Sequence, residues 1–231
     1  MDCIILAGGL GTRLKSSVPD LPKPLAPIGN RPFLEILLKQ IEKSKIIDRV
    51  IFSLGHKASM IFEFVSKRKN QFTPIFVEED KPLGTGGAVQ GCIQKIKSNN
   101  FFIMNGDSYL EINWEKFLQA HLKNKAYATL ACTNISDAFR FGTVAIGPDQ
   151  RITCFQEKKN ISKPGIINGG IYCFKKGYLP YYSVGNNFSI ETDIFPKLID
   201  KNIYGFLSSG VFIDIGTTES FKLAQKTLEE I

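Results

Sequence analysis

The sequence predicts an α/β fold built on a mainly parallel central sheet, for three reasons. An apolar run at residues 2–7 ends directly in glycines, as a buried parallel strand does. Stretches with helical periodicity then alternate with short apolar runs as far as residue 123. No linker, low-complexity stretch or internal repeat interrupts the 231 residues, so one continuous domain is expected.

The elements of the first half follow one another in a regular order. After the strand at residues 2–7, Pro32 occupies a plausible first helical position, and the apolar residues that follow it recur with helical spacing, which predicts a helix to about Lys43. The further elements expected are a strand at 49–54, a helix near 59–67, a strand at 74–77, a helix near 86–95, a strand at 101–104 and a helix near 114–123.

The second half has a different character. Short β-rich runs at 127–132, 143–146, 152–156 and 167–174 are separated by Gly, Pro, Asn and Asp, which predicts an extension of the sheet with an antiparallel part. Two late helices are expected, one after Ser189 and one after Thr217, with a strand at 211–213 between them.

Composition and charge exclude several classes of protein. No apolar run approaches the ~18 residues of a membrane span, and Asp2 places an acid where a signal peptide would be basic, so a soluble cytoplasmic protein is expected. The five cysteines are widely spaced without a C-x-x-C pair, which indicates neither a disulfide framework nor a zinc site. The net charge of +7 comes from scattered lysines, which favours phosphorylated small molecules over nucleic acid.

The loop after the first strand is rich in glycine, with Gly8, Gly9 and Gly11. Such glycines let backbone N–H groups approach a phosphate or a nucleotide base. The loop is not a dinucleotide fingerprint, because Leu14 stands where the third glycine belongs, and it lacks the Gly-Lys-Ser/Thr of a Walker loop. Arg13 and Lys23 are the nearby cations expected to offset the charge of a triphosphate.

Two aspartates follow predicted strands. Asp107 comes after the strand at 101–104, and Asp214 comes after the strand at 211–213. Ligands of open parallel sheets gather at the carboxyl edge of the strands, and carboxylates together with phosphate oxygens suit Mg²⁺. By position alone each aspartate is better explained as a turn-former or a helix cap than as a metal ligand.

The motifs of the chain resemble those of the sugar-1-phosphate nucleotidyltransferases. The resemblance begins with Leu6-Ala-Gly-Gly-Leu-Gly-Thr-Arg-Leu14 and Pro22-Lys-Pro-Leu25, and its later motifs are Leu83-Gly-Thr-Gly-Gly87, Asn105-Gly-Asp107, Phe141-Gly142, Glu157-Lys158, Asn168-Gly-Gly-Ile-Tyr172, Ser189-Ile-Glu-Thr-Asp193 and Phe212-Ile-Asp-Ile-Gly216. It implies a single-domain Rossmann-like nucleotidyltransferase fold spanning residues 1–231. Residues 1–125 would form the nucleotide-binding half, and residues 126–231 the sugar-phosphate-binding half with its smaller antiparallel part.

The resemblance also implies a set of site residues. The catalytic residues would be Arg13, Lys23, Asp107 and Asp214, of which Asp107 and Asp214 would hold Mg²⁺. The nucleotide would be bound by Leu6, Ala7, Gly8, Gly9, Gly11, Thr12, Arg13, Lys23, Glu79, Gly84, Thr85 and Asp107. The sugar phosphate would be bound by Gly142, Glu157, Lys158, Asn168 and Glu191. For Glu191 an ordinary acid in the first turn of a helix is a serious alternative. Arg140 replaces the lysine that relatives often carry before Phe-Gly.

The nucleotide is predicted from Glu79. It precedes Gly84 by five residues, where thymidylyl and uridylyl relatives carry glutamine. A carboxylate only accepts hydrogen bonds, and guanine offers two adjacent donors, N1–H and N2–H. Glu78 is the alternative reader. His56 and His121 lie outside every motif, and no catalytic histidine is expected, because a sugar-phosphate oxygen is already anionic.

The partners expected are therefore GTP and a sugar 1-phosphate, with no nucleic acid and no membrane, and a homo-oligomer is left open. Within the family, a mannose-1-phosphate guanylyltransferase and a UTP-dependent enzyme are the alternatives. From other classes, a non-catalytic nucleotide or sugar sensor would be expected to lack one of the four catalytic residues, and a nicotinamide-dependent oxidoreductase would need the missing third glycine.

Overall fold

A computed structural model describes residues 1–14, 17–156, 162–178 and 187–228. The strands are β1 (Asp2–Ala7), β2 (Pro27–Ile28), β3 (Arg31–Pro32), β4 (Arg49–Leu54), β5 (Thr73–Glu78), β6 (Asn100–Asn105), β7 (Ser108–Leu110), β8 (Ala128–Ile135), β9 (Thr143–Ile146), β10 (Ile152–Gln156), β11 (Gly165–Lys175), β12 (Ile203–Ser208) and β13 (Phe212–Asp214). The helices are α1 (Phe33–Ser44), α2 (Ala58–Lys67), α3 (Gly84–Cys92), α4 (Trp114–Lys123), α5 (Phe195–Leu198) and α6 (Thr218–Leu228).

The central sheet joins both halves of the chain. Its strand order is β10-β9-β11-β6-β1-β4-β5, with β8 also paired to β11 and β12 paired to β8. The four strands β6, β1, β4 and β5 are parallel, as the alternation of strands and helices predicts. The strand β11 runs antiparallel to β6, β8 and β9, so the expected antiparallel extension is confirmed.

Helices cover both faces of the sheet because the strands are apolar on both sides. Along β1, Cys3 and Ile5 pack with α1, α2, α4 and α6 in one buried cluster, whereas Ile4 packs with α3 and α5 in the other. This two-sided burial explains why β1 is a continuous apolar run rather than an alternating one. Within the described residues, no helix is both long and apolar enough to cross a membrane.

Four features differ from the sequence prediction. Helix α1 begins at Phe33, and Pro32 is its cap, with an extended backbone. The strands β2, β3, β7 and β12 were not predicted. The helix after Ser189 starts as a π-helical segment, Ile190–Ile194, before it continues as α5. The strand predicted at 211–213 is β13, which pairs with β7 in a separate two-stranded ribbon instead of joining the central sheet.

Candidate active site

The glycine-rich loop lies at the carboxyl end of β1, beside the ends of its neighbours β4 and β6. A Cβ on Gly8 would stand 2.1 Å from Oε1 of Glu79, so the Glu79 carboxylate rests directly against the loop. Gly11 has a φ of +62°, and a Cβ there would lie 3.4 Å from that of Lys23. A Cβ on Gly9 would meet no atom of the described residues within 4 Å. The loop is therefore closed by protein at Gly8 and Gly11 and open at Gly9.

Glu79 is held in place after β5 by backbone contacts. Its N–H donates to the carbonyl of Leu54 (2.9 Å), and its Oε2 accepts from the N–H of Leu83 (3.2 Å). Burial raises the pKa of the Glu79 carboxyl, although the bond from Leu83 works in the opposite direction. Glu78, in contrast, is exposed. Of the two residues predicted to recognise the nucleotide base, Glu79 is thus the one in contact with the glycine-rich loop.

Lys23 and Asp107 form an ion pair beside the loop. The turn at Lys23–Leu25 brings Nζ of Lys23 to 2.5 Å from Oδ2 of Asp107. Gly106, which precedes Asp107, donates its N–H to the carbonyl of Leu6 (2.9 Å), and a side chain there would clash with that carbonyl. The lack of a side chain at Gly106 therefore lets the end of β6 close onto the end of β1.

Asp214 lies beside Asp107, but through a strand pairing that the sequence did not predict. It is the last residue of β13, in register with Ser108 of β7, so it does not lie at the end of a central strand as expected. The next residue, Ile215, donates its N–H to the carbonyl of Asp107 (2.9 Å). The ribbon of β7 and β13 thus brings the two predicted metal-binding aspartates together, although they are far apart in sequence.

A bulge in β11 makes room for this ribbon. The pairing of β11 with β8 shifts register between Asn168 and Ile171, where Gly170 adopts a φ of +77°. A Cβ on Gly170 would stand 2.4 Å from Oγ of Ser108. The two glycines after Asn168 are therefore needed to pack β11 against the end of β6 and the start of β7.

Arg140 completes the group of charged side chains and was not among the predicted site residues. Its Nη2 donates to Oδ1 of Asp214 (2.5 Å), and its Nη1 donates to Oγ1 of Thr217 (2.8 Å). The only sequence signal was its departure from the usual lysine. Arg13 is exposed, and no side chain of the described residues hydrogen-bonds to it or forms an ion pair with it. The candidate site thus holds two carboxylates, each paired to a cationic side chain, and Arg13 at its rim.

The predicted sugar-side residues fall into three groups. Glu191 accepts hydrogen bonds from Thr85 (2.5 Å), Ser189 (2.8 Å) and Tyr172 (3.0 Å), and Asn168 donates to the Tyr172 hydroxyl (2.9 Å). Gly142 lies at the start of β9, where a Cβ would stand 3.0 Å from the carbonyl of Gln156. Glu157 and Lys158 lie outside the described residues.

The network around Glu191 links the two predicted halves of the site. Thr85 belongs to α3 on the nucleotide side, whereas Asn168 belongs to β11 on the sugar side. Burial raises the pKa of the Tyr172 hydroxyl, and the neighbouring Glu191 carboxylate raises it further. Because that hydroxyl stays protonated, it can donate to Glu191 while it accepts from Asn168. The carboxylate of Glu191 already has three donors from the protein.

Within the described residues, neither histidine side chain hydrogen-bonds to a predicted site residue. His56 is exposed, and its N–H donates to the carbonyl of Gly8. His121 is buried on α4, with Nδ1 2.9 Å from Thr129 Oγ1 and Nε2 3.2 Å from Asn100 Oδ1. The interpretation of His121 as a structural residue fits these contacts.

Comparison with known proteins gives concordant matches. Residues 2–231 match the family model described as nucleotidyl transferase. The chain is 40% identical over 230 residues to the D-glycero-alpha-D-manno-heptose 1-phosphate guanylyltransferase of Aneurinibacillus thermoaerophilus, a match that covers 99% of each chain. It is 35% identical over 224 residues to the protein of the same name from Campylobacter jejuni, covering 96% of this chain and 97% of that one.

Among solved structures, the chain resembles HddC from Yersinia pseudotuberculosis complexed with GMP-PN. The TM-score is 0.86 with 35% sequence identity, and the alignment covers 98% of this chain and 99% of that one. The chain therefore shares the fold of HddC over nearly its full length.

Proposed function

This chain belongs to the nucleotidyl transferase family, and on that premise we propose that it transfers a guanylyl group from GTP to D-glycero-alpha-D-manno-heptose 1-phosphate. The products are GDP-heptose and pyrophosphate. The observation that carries the choice of nucleotide is the contact of the Glu79 carboxylate with Gly8 of the nucleotide loop. The choice of sugar rests on full-length similarity to heptose 1-phosphate guanylyltransferases.

The reaction needs positioning and charge compensation rather than a protein base. An anionic oxygen of the sugar phosphate attacks the α-phosphorus of GTP, a new P–O bond forms, and the bond between the α- and β-phosphates breaks. The electron pair of that bond leaves with pyrophosphate, so no proton has to move. Lys23 and Arg13 are the cations of the chain that offset charge on the triphosphate. Glu79 orients the base, and Gly9 leaves space for the nucleotide.

The donor set of the site suits Mg²⁺. Asp107 and Asp214 supply two hard carboxylates, and within the described parts of the chain no cluster of three or more Asp, Glu, His or Cys residues competes as a metal site. Mg²⁺ is commonly held by one or two carboxylates together with substrate phosphates and water. When bound, the ion would neutralise phosphate charge; Asp107 and Asp214 would hold it, and Lys23 and Arg140 would orient the two carboxylates.

The sugar-side residues are assigned by the same proposal. Gly142, Asn168 and Glu191 lie near one another through β9, β11 and the Glu191 network, and Glu157 and Lys158 follow β10 directly in sequence. We assign the sugar hydroxyls to Glu157 and the sugar phosphate to Lys158. The protein would work in the cytoplasm as part of the synthesis of bacterial surface polysaccharide, such as capsule, where GTP is available.

A substrate panel tests the proposal. GTP, UTP, dTTP and ATP are each incubated with heptose, mannose or glucose 1-phosphate, with and without Mg²⁺, and pyrophosphate release is measured. We expect release only with Mg²⁺, with GTP, and with the heptose phosphate as the best acceptor. Faster turnover with mannose 1-phosphate would replace the sugar assignment, and equal turnover with UTP would remove Glu79 as the base reader.

A further inference from the structure

Arg140 contacts both a predicted metal-binding carboxylate and a helix start. Its two terminal nitrogens donate in different directions, Nη2 to Oδ1 of Asp214 and Nη1 to Oγ1 of Thr217. Thr217 caps α6, since its Oγ1 accepts from the N–H of Ser220 (3.3 Å). The guanidinium is thereby fixed through both terminal nitrogens in one plane, whereas an ammonium group would offer rotatable donors from a single nitrogen.

The Asp214 carboxylate depends on Arg140 for its orientation. Its Oδ2 accepts the N–H of Gly216 (2.9 Å) and a longer bond from Ser220 (3.4 Å). Among the described residues, Arg140 is the only donor to Oδ1. Without Arg140 the carboxylate would be held through one oxygen and could rotate about its last bond.

The residue after Arg140 docks on the same strand. The ring of Phe141 meets that of Phe212 edge to face, with centroids 5.6 Å apart, and Phe212 begins the strand β13 that ends in Asp214. Gly142, on the sugar side, follows directly in sequence. Two successive side chains thus fasten the sugar-side segment to the strand that presents Asp214.

We infer that Arg140 is a positioning residue, which orients Asp214 for the divalent cation and ties that carboxylate to the sugar-binding segment. The inference rests on the proposed function, because it assumes that Asp214 holds Mg²⁺ beside GTP. It makes two rival roles testable. If Arg140 were a direct phosphate ligand, its removal would weaken the affinity for the sugar phosphate. If it competed with the cation for Asp214, its removal would tighten Mg²⁺ binding.

The test uses five variants of the full-length protein, one of them a matched control. Arg140→Met removes both hydrogen bonds, and Arg140→Lys keeps the positive charge. Thr217→Val removes the hydroxyl that accepts from Nη1 of Arg140, whereas Thr217→Ser retains it. Arg151→Met is the matched control. The guanidinium of Arg140 lies over the ring of Phe141, and that of Arg151 lies likewise over the ring of Tyr204 and bonds to a backbone carbonyl. The first readout is calorimetric binding of a non-hydrolysable GTP analogue across a Mg²⁺ titration, without sugar phosphate; the second is kcat and KM.

We expect Arg140→Met to raise the Mg²⁺ concentration for half-maximal nucleotide binding, and to lower kcat, on the order of 10- to 100-fold, the usual effect of removing a partner of a metal ligand. Arg140→Lys and Thr217→Val should shift the Mg²⁺ requirement in the same direction by less, so a poorly folded Arg140→Met protein would not decide the matter. Thr217→Ser and Arg151→Met should match the unchanged protein.

Three results would overturn the inference. They are an unchanged Mg²⁺ requirement, a lowered one, or a rise confined to KM for the sugar phosphate. Failure of the proposed function would give a different result: the wild-type protein would bind the analogue with Mg²⁺ but would transfer the guanylyl group to no sugar phosphate. The binding titrations would still test the role of Arg140 in that case. If the unchanged protein binds the analogue without any need for Mg²⁺, the inference is wrong.

Discussion

At the residue scale, Gly9 is the one glycine of the nucleotide loop at which no contact with the described residues accounts for the absence of a side chain. Gly8 is required by the Glu79 carboxylate and by the backbone of Gly55, and Gly11 is required by its left-handed backbone. Gly9 has neither constraint, since its φ is not positive and a Cβ there would contact nothing in the part of the chain that the structure describes. A ligand that lies against the backbone is the remaining physical reason for a glycine there.

Gly9→Ala should therefore impair nucleotide binding without harming the fold. We expect at least about a tenfold weaker affinity for the GTP analogue, roughly 1.4 kcal/mol. Stability should be equal or about 0.4–1 kcal/mol higher, because alanine restricts the unfolded chain. Calorimetry and urea unfolding measure the two quantities. Gly91→Ala is the control, since Gly91 is also unobstructed by the described residues but lies on the exposed face of helix α3; the variant should be more stable, with unchanged nucleotide binding.

Glu79 should govern the choice of base. Glu79→Gln replaces a double acceptor with a group that must present a donor to guanine, so we expect kcat/KM for GTP to fall about 10- to 100-fold, in line with the ~1.5–3 kcal/mol of a hydrogen bond to a charged group. UTP should gain relative to GTP. Competition assays with both triphosphates measure the ratio. Glu78→Gln is the control, because Glu78 is exposed; an equal effect of both substitutions would remove Glu79 from the base site.

How far sequence could predict the site depends on whether a residue's partners are local. Gly8, Gly9 and Gly11 follow a strand directly, so their backbone role can be predicted from spacing. Arg140 bonds to Asp214, 74 positions away, and its only sequence signal is the replaced lysine. Glu191 was predicted as a sugar ligand; of its three protein donors, Ser189 is local in sequence, whereas Thr85 and Tyr172 come from segments whose meeting only the folded sheet determines.

At the scale of elements, helix α4 is joined to the sheet by a buried histidine. His121 is hydrogen-bonded to Thr129 of β8 and Asn100 of β6. Burial, together with the positive charge of Lys175, lowers the pKa of His121 to about 4. The ring is therefore neutral at pH 7, where it accepts from one partner and donates to the other.

His121 should make the stability of the protein depend on pH. The unfolded chain protonates this ring near pH 6.5, whereas the folded chain does so only near 4. Unfolding between these values takes up a proton, so stability is full above 6.5 and falls as the pH drops towards 4, by at most about 3 kcal/mol. Urea midpoints between about pH 7.5 and about pH 5 measure the slope. His121→Gln should flatten it, and His56→Gln, at an exposed site, should not.

Sequence prediction succeeded for elements that carry their own pattern. Strands β1 and β4 and helix α4 were placed at their observed bounds, because a buried run or an amphipathic helix is visible within its own residues. The strands β7 and β13 have three residues each, and their pairing depends on where β6 and β12 bring the chain. Strand β12 contains a glycine, and two serines lie at and just beyond its end, so its sequence resembles that of a turn.

At the scale of the whole molecule, the predicted nucleotide-binding and sugar-binding halves share one sheet. Strand β11 of the second half pairs with β6 of the first over residues 171–175. Each buried cluster also contains side chains from both halves: Ile4 and Ile103 pack with Leu130, Tyr172 and Phe195 in one of them. Division of the chain near residue 125 would leave β6 with an open edge and would expose both faces of the core.

We therefore propose that residues 1–231 unfold as one cooperative unit. Hydrogen exchange pulsed along a urea titration should give one midpoint for peptides from β1 and β4 and for those from β8 and β12, because loss of β11 removes a hydrogen-bonded neighbour of β6 and part of both cores at once. The fluorescence of Trp114, which packs against Phe102 in the first half, should change at the same midpoint. Separate midpoints for the two groups of peptides would show that the halves are independent domains, and the Glu191 network would then be a contact between domains.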